Sequence, residues 1–73
     1  MFDWIELDDS TRVSAIAYDE DEERILVRFR DGVEYFYAMC PPSLWEEFSS
    51  PAVSKGQFIR ERLDAKPRGK LVD

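Results

Sequence analysis

Few residues in this sequence are capable of catalysis. It contains no histidine, so the Ser-His-Asp and Cys-His arrangements that activate a nucleophile are excluded. Cys40 is the only cysteine, and a zinc site would have to combine it with three carboxylates, which is not a recognisable zinc arrangement. Ser54 and Lys55 are adjacent at a predicted helix start, where neighbouring side chains do not face each other. We therefore expect a protein that is not an enzyme and that binds no metal or cofactor.

Five consecutive carboxylates occupy positions 19–23. This run lacks the alternating ligand spacing and the central glycine of a calcium loop. A solvated, self-repelling turn is therefore favoured over a cation site. The run can still act as an acidic patch for a basic partner.

Three consecutive aromatic residues, Tyr35, Phe36 and Tyr37, are the only feature that resembles a recognition platform. Aromatic side chains on a sheet, flanked by arginines such as Arg28, can stack on unpaired bases. The alternative is that the two tyrosines pack in the core, and this alternative is favoured by the strand register. Phe36 would then lie on the opposite, open face.

The elements that position these residues are organised around residues 25–39, where two strand-like runs flank Asp31-Gly32. A two-residue turn and a three-residue loop differ by one residue of register, which moves a whole strand to the other face. The three-residue loop, with Gly32 left-handed, places Tyr35 opposite Val27 and sets Arg28 against Glu34. Because it produces one apolar face and an opposite-charge pair, we expect this register.

The remaining elements predict an α+β domain over residues 1–66. Residues 13–18 read as a strand, and residues 2–7 read as either a further short strand or an extended arm. Two short helices are expected at residues 42–49 and 54–65, the second capped by Ser54. The predicted fold is a three-stranded antiparallel sheet, four-stranded if the N-terminal run pairs, with both helices packed on one face. Residues 67–73 are expected to form a frayed, flexible tail.

The charge is unevenly distributed. The net charge is −6, with −7 in residues 1–24, −2 in residues 25–53 and +3 in residues 54–73. A strongly acidic chain is a poor non-specific ligand for nucleic acid, because phosphate contacts dominate that affinity. Cys40 is expected to be a small buried or half-buried hydrophobe. The acidic N-terminus and the lack of a long apolar run predict a protein without a membrane span. Because a lone cysteine cannot form an intramolecular disulfide, we expect a cytoplasmic protein.

The sequence resembles the KTSC domain family over about residues 4–63. The matching positions are Ser10, Ile16, Tyr18-Asp19, Phe29, Gly32, Tyr35, Tyr37, Pro41, Ala52, Ser54, Gly56 and Phe58. Cys40 stands where valine is usual, and Arg60 where asparagine is common. The family takes its name from the C-terminus of some lysyl-tRNA synthetases and includes stand-alone bacterial and phage proteins. The resemblance implies a small domain of unknown function, with RNA binding suggested by that association.

Two functions are therefore expected. The first is a non-enzymatic protein-interaction module, monomeric or weakly self-associating, that uses the acidic N-terminal half or the open sheet face. The second is an RNA-binding module for tRNA or single-stranded RNA, which uses the basic C-terminal helix and the sheet aromatics. The candidate contact residues are Arg28, Tyr35, Phe36, Tyr37, Lys55, Arg60, Arg62 and Lys66.

Overall fold

A computed structural model describes residues 2–71 of the chain. The elements, in chain order, are β1 (Ile5–Glu6), β2 (Val13–Asp19), β3 (Arg24–Phe29), β4 (Glu34–Tyr37), α1 (Pro42–Phe48), α2 (Lys55–Phe58) with a π-helical turn (Ile59–Leu63), and β5 (Arg68–Lys70). The α2 helix and the π turn are continuous, and together they are called the second helix. The π turn is marked by the amide of Asp64, which donates to the carbonyl of Ile59 at 2.8 Å.

The strands form one antiparallel sheet in the order β1-β2-β3-β4-β5. The predicted α+β class and the two helices that follow the first strands are confirmed. The predicted strand count was too low. The N-terminal run does pair, since Ile5 lies opposite Ile16, and a fifth strand follows the helices.

The central hairpin has the predicted three-residue loop. Val27 pairs with Tyr35 and Arg28 pairs with Glu34, and the amide of Phe29 donates to the carbonyl of Val33 at 2.9 Å. Gly32 has φ +90°, a conformation that glycine adopts at little cost. The predicted register is therefore confirmed, and it fixes which side chains of β3 and β4 face the helices.

The fifth strand overturns the prediction of a frayed tail from residue 67. Gly69 pairs with Phe36, and Lys70 pairs with Tyr35. The physical reason is the close approach that glycine permits, because a Cβ at position 69 would lie 2.9 Å from Cε2 of Phe36. The Phe36 ring covers the backbone there and holds β5 against β4. Residues 72 and 73, also part of the predicted tail, lie outside the described residues.

The helices cover one face of the sheet and enclose the core. Phe48 of α1 and Leu63 of the second helix are fully buried, and Phe58 lies with its ring centroid 5.1 Å from that of Phe48. Ser54 caps the second helix as predicted, its Oγ accepting from the amide of Gln57 at 3.4 Å. The buried core consists of Val13, Ile16, Ile25, Val27, Tyr37, Cys40, Leu44, Phe48, Phe58, Ile59 and Leu63.

The opposite face of the sheet is closed by its own side chains. Arg28 stacks over the ring of Trp4, with 4.5 Å from Cζ to the ring centroid, and Arg24 stacks over Phe36 at 4.8 Å. We call these four residues the arginine–aromatic layer. Beneath it Leu26 is fully buried. The expectation that this face is open was wrong, because the stems and flat guanidinium groups of two arginines cover it.

Candidate functional site

The residues predicted to form an RNA platform are mostly engaged within the fold. Tyr37 is 3% exposed and belongs to the core. Lys55 is 7% exposed, and its Nζ donates to the carbonyls of Ser50 at 2.8 Å and Val53 at 3.1 Å. Burial lowers the pKa of the Lys55 ammonium. Neither side chain is available to a nucleic acid.

The other predicted contact residues do not share one surface. Arg62 pairs with Glu47 at 3.0 Å and stacks on Phe58. Arg60 is exposed, and Lys66 is half-buried. Tyr35 is half-buried on the helix side of the sheet, where it packs against the core.

Arg28 and Phe36 lie on the far side of the sheet from the helices. Arg28 donates to Glu34 at 2.8 Å and lies 3.4 Å from a carboxylate oxygen of Glu6. Phe36 is held between Arg24 and Gly69. The predicted set is thus divided between the two faces of the sheet.

A different cavity combines aromatic walls with uncompensated charge. It has a volume of about 630 Å³ and lies between the N-terminal segment, the end of β2 and the start of α1. We call it the acidic groove. Its lining residues are Phe2, Asp3, Ile5, Tyr18, Glu20, Pro42, Trp45 and Glu46.

The central wall of the acidic groove is a stacked aromatic pair. The rings of Tyr18 and Trp45 are 5.5 Å apart between centroids and inclined by 12°. Tyr18 projects from β2, and its hydroxyl donates to the carbonyl of Cys40 at 2.6 Å. Trp45 lies one turn into α1, which begins after Pro41 because proline suits a first helical turn. The hydrogen bond anchors the Tyr18 ring, and the Trp45 ring contacts both Tyr18 and Phe48.

Apolar surface remains exposed beside this wall. Ile5, on the edge strand β1, is 46% exposed, and the Trp45 ring is half-buried. Cys40 beneath the wall is fully buried, as predicted, and burial raises the pKa of its thiol. The thiol is therefore an inert part of the core.

The charge of the groove has one sign. Asp3, Glu20 and Glu46 are exposed, and among residues 2–71 no lysine or arginine contributes to the lining. Burial raises the pKa of the Tyr18 hydroxyl, and the negative charge of Glu23 raises it further. The groove therefore combines a negative potential with an apolar wall. This combination is suited to a side chain that carries a positive charge on an apolar stem.

Sequence reasoning identified part of this site. The acidic run at residues 19–23 was recognised as a potential patch for a basic partner, and Glu20 of that run lines the groove. The contributions of Tyr18 and Trp45 were not recognised, because they come from elements far apart in sequence. The structure leaves the large ring of Trp45 half-buried in α1.

The described part of the chain contains neither a candidate membrane-spanning helix nor a cluster of metal-ligating side chains. No helix within residues 2–71 is long and apolar enough to cross a membrane. Within the same residues, no group of three or more cysteine or acidic side chains is arranged to hold a metal ion. Asp19, which begins the acidic run, is instead bound by Arg24 at 2.9 Å.

Comparisons with known proteins agree with one another. The sequence model of the KTSC domain matches residues 9–66. A protein of Tsukamurella paurometabola, whose name states no activity, is 31% identical over 64 residues, which cover 88% of this chain and 91% of the relative. The crystal structure of a KTSC domain protein from Yersinia pestis superposes with a TM-score of 0.86 at 27% identity. That match covers 99% of this chain and 100% of the other.

Proposed function

Since the chain belongs to the KTSC domain family, we propose that it is a non-enzymatic protein-interaction module whose acidic groove binds a basic peptide segment. The observation that carries the proposal is the stacked Tyr18–Trp45 wall with three carboxylates beside it, and with no lysine or arginine in the lining that the structure describes. The proposal places the module in the cytoplasm, where the single Cys40 stays reduced. It acts there as a monomer or a weak oligomer.

The chemistry of the groove indicates which side chains it would bind. A volume of about 630 Å³ is enough for two or three peptide side chains, since ligand pockets commonly span about 300–1,000 Å³. A lysine or arginine can lay its methylene stem on Trp45 and direct its charge to Glu46 or Glu20. An aliphatic neighbour in the peptide can contact the exposed part of Ile5. The expected motif therefore alternates basic and aliphatic residues.

RNA binding, the second expected function, has less support. Among the predicted contact cations it would depend on Arg60 and Lys66. Lys55 is buried, and Arg28 and Arg62 are paired with carboxylates. Two cations neutralise few phosphates, and RNA affinity depends on the number that are neutralised. The experiment below therefore also tests for RNA binding.

The test is a selection from a phage-displayed random peptide library, followed by ¹⁵N amide-shift titration with the selected peptides. We expect enrichment of lysine or arginine next to aliphatic residues. We also expect shifts centred on Tyr18, Trp45 and Ile5. Affinity should fall with salt but persist in part, since the apolar contacts are not screened.

A pair of double variants separates the groove from general acidity. Glu20→Lys with Glu46→Lys reverses two exposed charges of the groove, and we expect at least about tenfold weaker binding. Asp21→Lys with Glu22→Lys makes the same change in net charge outside the groove, and we expect binding to be largely retained. Equal losses in the two variants, or selected peptides without basic residues, would contradict the proposal. Binding of an RNA oligomer at Arg60 and Lys66, with no peptide selected, would replace it.

A further inference from the structure

A second cavity, of about 400 Å³, lies between the connection from β1 to β2 and the start of the second helix. We call it the arginine groove. It shares no lining residue with the acidic groove. Its lining residues are Asp9, Ser10, Thr11, Arg12, Val53, Ser54, Lys55, Gly56, Gln57 and Arg60.

Arg12 is the central cation of this region. Its side chain is exposed, and among the described residues no carboxylate oxygen lies within 4.0 Å of its guanidinium nitrogens. The guanidinium carbon lies 5.9 Å from the centroid of the Phe29 ring. Arg12 also lines the two cavities that border Phe29 and Tyr35. It is thus a positioned cation whose charge is not neutralised by an ion pair.

Gly56 gives Arg12 the space for this position. A Cβ built at residue 56 would lie 3.5 Å from Cδ of Arg12 and 3.9 Å from one of its terminal nitrogens. A methyl group would therefore be in ordinary van der Waals contact with Arg12, and a larger side chain would compete with Arg12 for this space. Gly56 is one of the residues that carry the family resemblance. It lies where the second helix meets the Arg12 side chain.

Arg60 supplies the second cation. It lies in the π-helical turn, is exposed, and forms no ion pair among residues 2–71. Lys55 does not add a third accessible cation, because its Nζ is bound to two backbone carbonyls. Hydroxyl groups of Ser54 and Thr11 lie along the same groove.

We propose that the arginine groove binds a carboxylate-bearing segment of an acidic peptide, with Arg12 and Arg60 as the anchoring cations. A guanidinium group matches a carboxylate in a bidentate, planar geometry. This site is independent of the acidic groove, so either one can fail without the other.

The charge around the groove favours a peptide over a nucleic acid. Asp9 lies within the groove, and Asp31 and Asp64 line the two neighbouring cavities. A phosphate backbone continuing beyond Arg12 and Arg60 would meet these carboxylates and be repelled. A short peptide with one or two acidic side chains fits within the cationic part.

The experiment is a ¹⁵N amide and arginine side-chain titration with an acetylated, amidated hexapeptide that contains two adjacent glutamates. We expect shifts at the Arg12 and Arg60 side chains and at the Gly56 amide, at millimolar or lower peptide concentration. The same peptide with glutamines should cause no such shifts, because it lacks the negative charge. Equal shifts with both peptides, or none at Arg12 and Arg60 with either, would overturn the proposal.

Matched variants test the role of each residue. Arg12→Gln and Gly56→Leu should each weaken the glutamate peptide at least about tenfold, the second by displacing Arg12. Lys70→Gln removes the same charge as Arg12→Gln from an exposed position outside the groove, and its affinity should match that of the parent. An amide spectrum of each variant establishes that it is folded. A uridine oligonucleotide that binds more tightly than the glutamate peptide and shifts the same residues would assign the groove to nucleic acid and overturn the proposal.

Discussion

The two faces of the sheet are closed by different means. On the helix side, α1 and the second helix bury a continuous apolar core around Phe48. On the opposite side, no helix is present, and the arginine–aromatic layer covers Leu26. That layer leaves Nε of Arg24 buried without a hydrogen-bond partner among the described residues. The helix side is therefore closed by packing, whereas the other is closed by side chains that carry charge.

This difference explains where binding sites remain. In a domain of this size, long side chains can replace a covering element, because their stems bury apolar surface while their charged groups stay near water. The sheet face that the sequence predicts to be open to a partner is therefore covered by the arginine–aromatic layer. Cavities are left at the margins, in the acidic groove and the arginine groove.

The largest expected difference between the faces comes from removing a ring on each side. Phe48→Ala empties a fully buried position, and we expect a loss of about 3–5 kcal/mol in the free energy of unfolding. Phe36→Ala removes a half-buried ring from the arginine–aromatic layer, and we expect a loss of about 1–2 kcal/mol. Urea denaturation of both variants measures the difference. Equal losses would mean that the two faces contribute alike.

The contact between Phe36 and Gly69 provides the next test. Gly69→Ala places a Cβ 2.9 Å from Cε2 of Phe36, so the ring must shift away from residue 69 and disturb its contact with Arg24. We expect a loss of about 1–3 kcal/mol from this overpacking. Phe36→Leu in the same chain should relieve the clash, so the double variant should be more stable than the two single losses predict. Strict additivity in that double-mutant cycle would disprove the contact.

The pair of Asp19 and Arg24 makes the stability of the layer depend on pH. Burial raises the pKa of Asp19, but hydrogen bonds from Arg24 and from the Glu22 amide outweigh it, so the pKa lies below its ordinary value. A carboxyl group whose pKa is lower in the folded than in the unfolded protein stabilises the fold when it is ionised. This stabilisation is fully present above the pKa of the group in the unfolded chain, about 3.9. That contribution is lost as the pH falls through the folded pKa.

We therefore expect Asp19→Asn to cost about 1–2 kcal/mol at neutral pH. The difference from the parent should shrink as the pH falls below about 3.9. Urea midpoints measured across acidic and neutral pH provide the comparison. A constant difference at every pH would show that the carboxylate charge of Asp19 does not stabilise the fold.

The smallest effect is expected at a residue that belongs to neither face. Met39 follows β4 with φ 58° and is 68% exposed. A left-handed backbone costs a non-glycine residue about 1–2 kcal/mol, and a glycine at this position removes that cost. Part of this gain is lost, because glycine also gives the unfolded chain more conformational freedom. We expect Met39→Gly to stabilise the protein by about 0.5–1 kcal/mol in urea denaturation. Destabilisation would indicate that the Met39 side chain makes contacts that matter.

The parts of the fold that sequence reasoning predicted are those specified by local signals. The register of the hairpin follows from alternation of apolar residues around Asp31-Gly32, and the start of the second helix follows from Ser54. The burial of Phe58, Ile59 and Leu63 follows from their helical spacing. Each signal lies within one or two turns of the chain.

The parts that could not be predicted depend on distant residues. Strand β5 is three residues long and reads as a polar tail until the Phe36 ring is placed over Gly69. The arginine groove requires Arg12 and Arg60 to line the same cavity, and the acidic groove requires Tyr18 and Trp45 to stack. Nothing in the local sequence of either residue in these pairs indicates its partner.

The strand order also has a consequence for how the chain folds. The first four strands follow one another along the sheet in chain order, so each pairs with its predecessor across a short connection. Strand β5 joins the sheet only after residues 38–67, which contain both helices, have been enclosed in a loop. Loop closure costs entropy that grows with loop length, so β5 should dock last. Its amides should be among the first in the sheet to exchange with deuterium under native conditions.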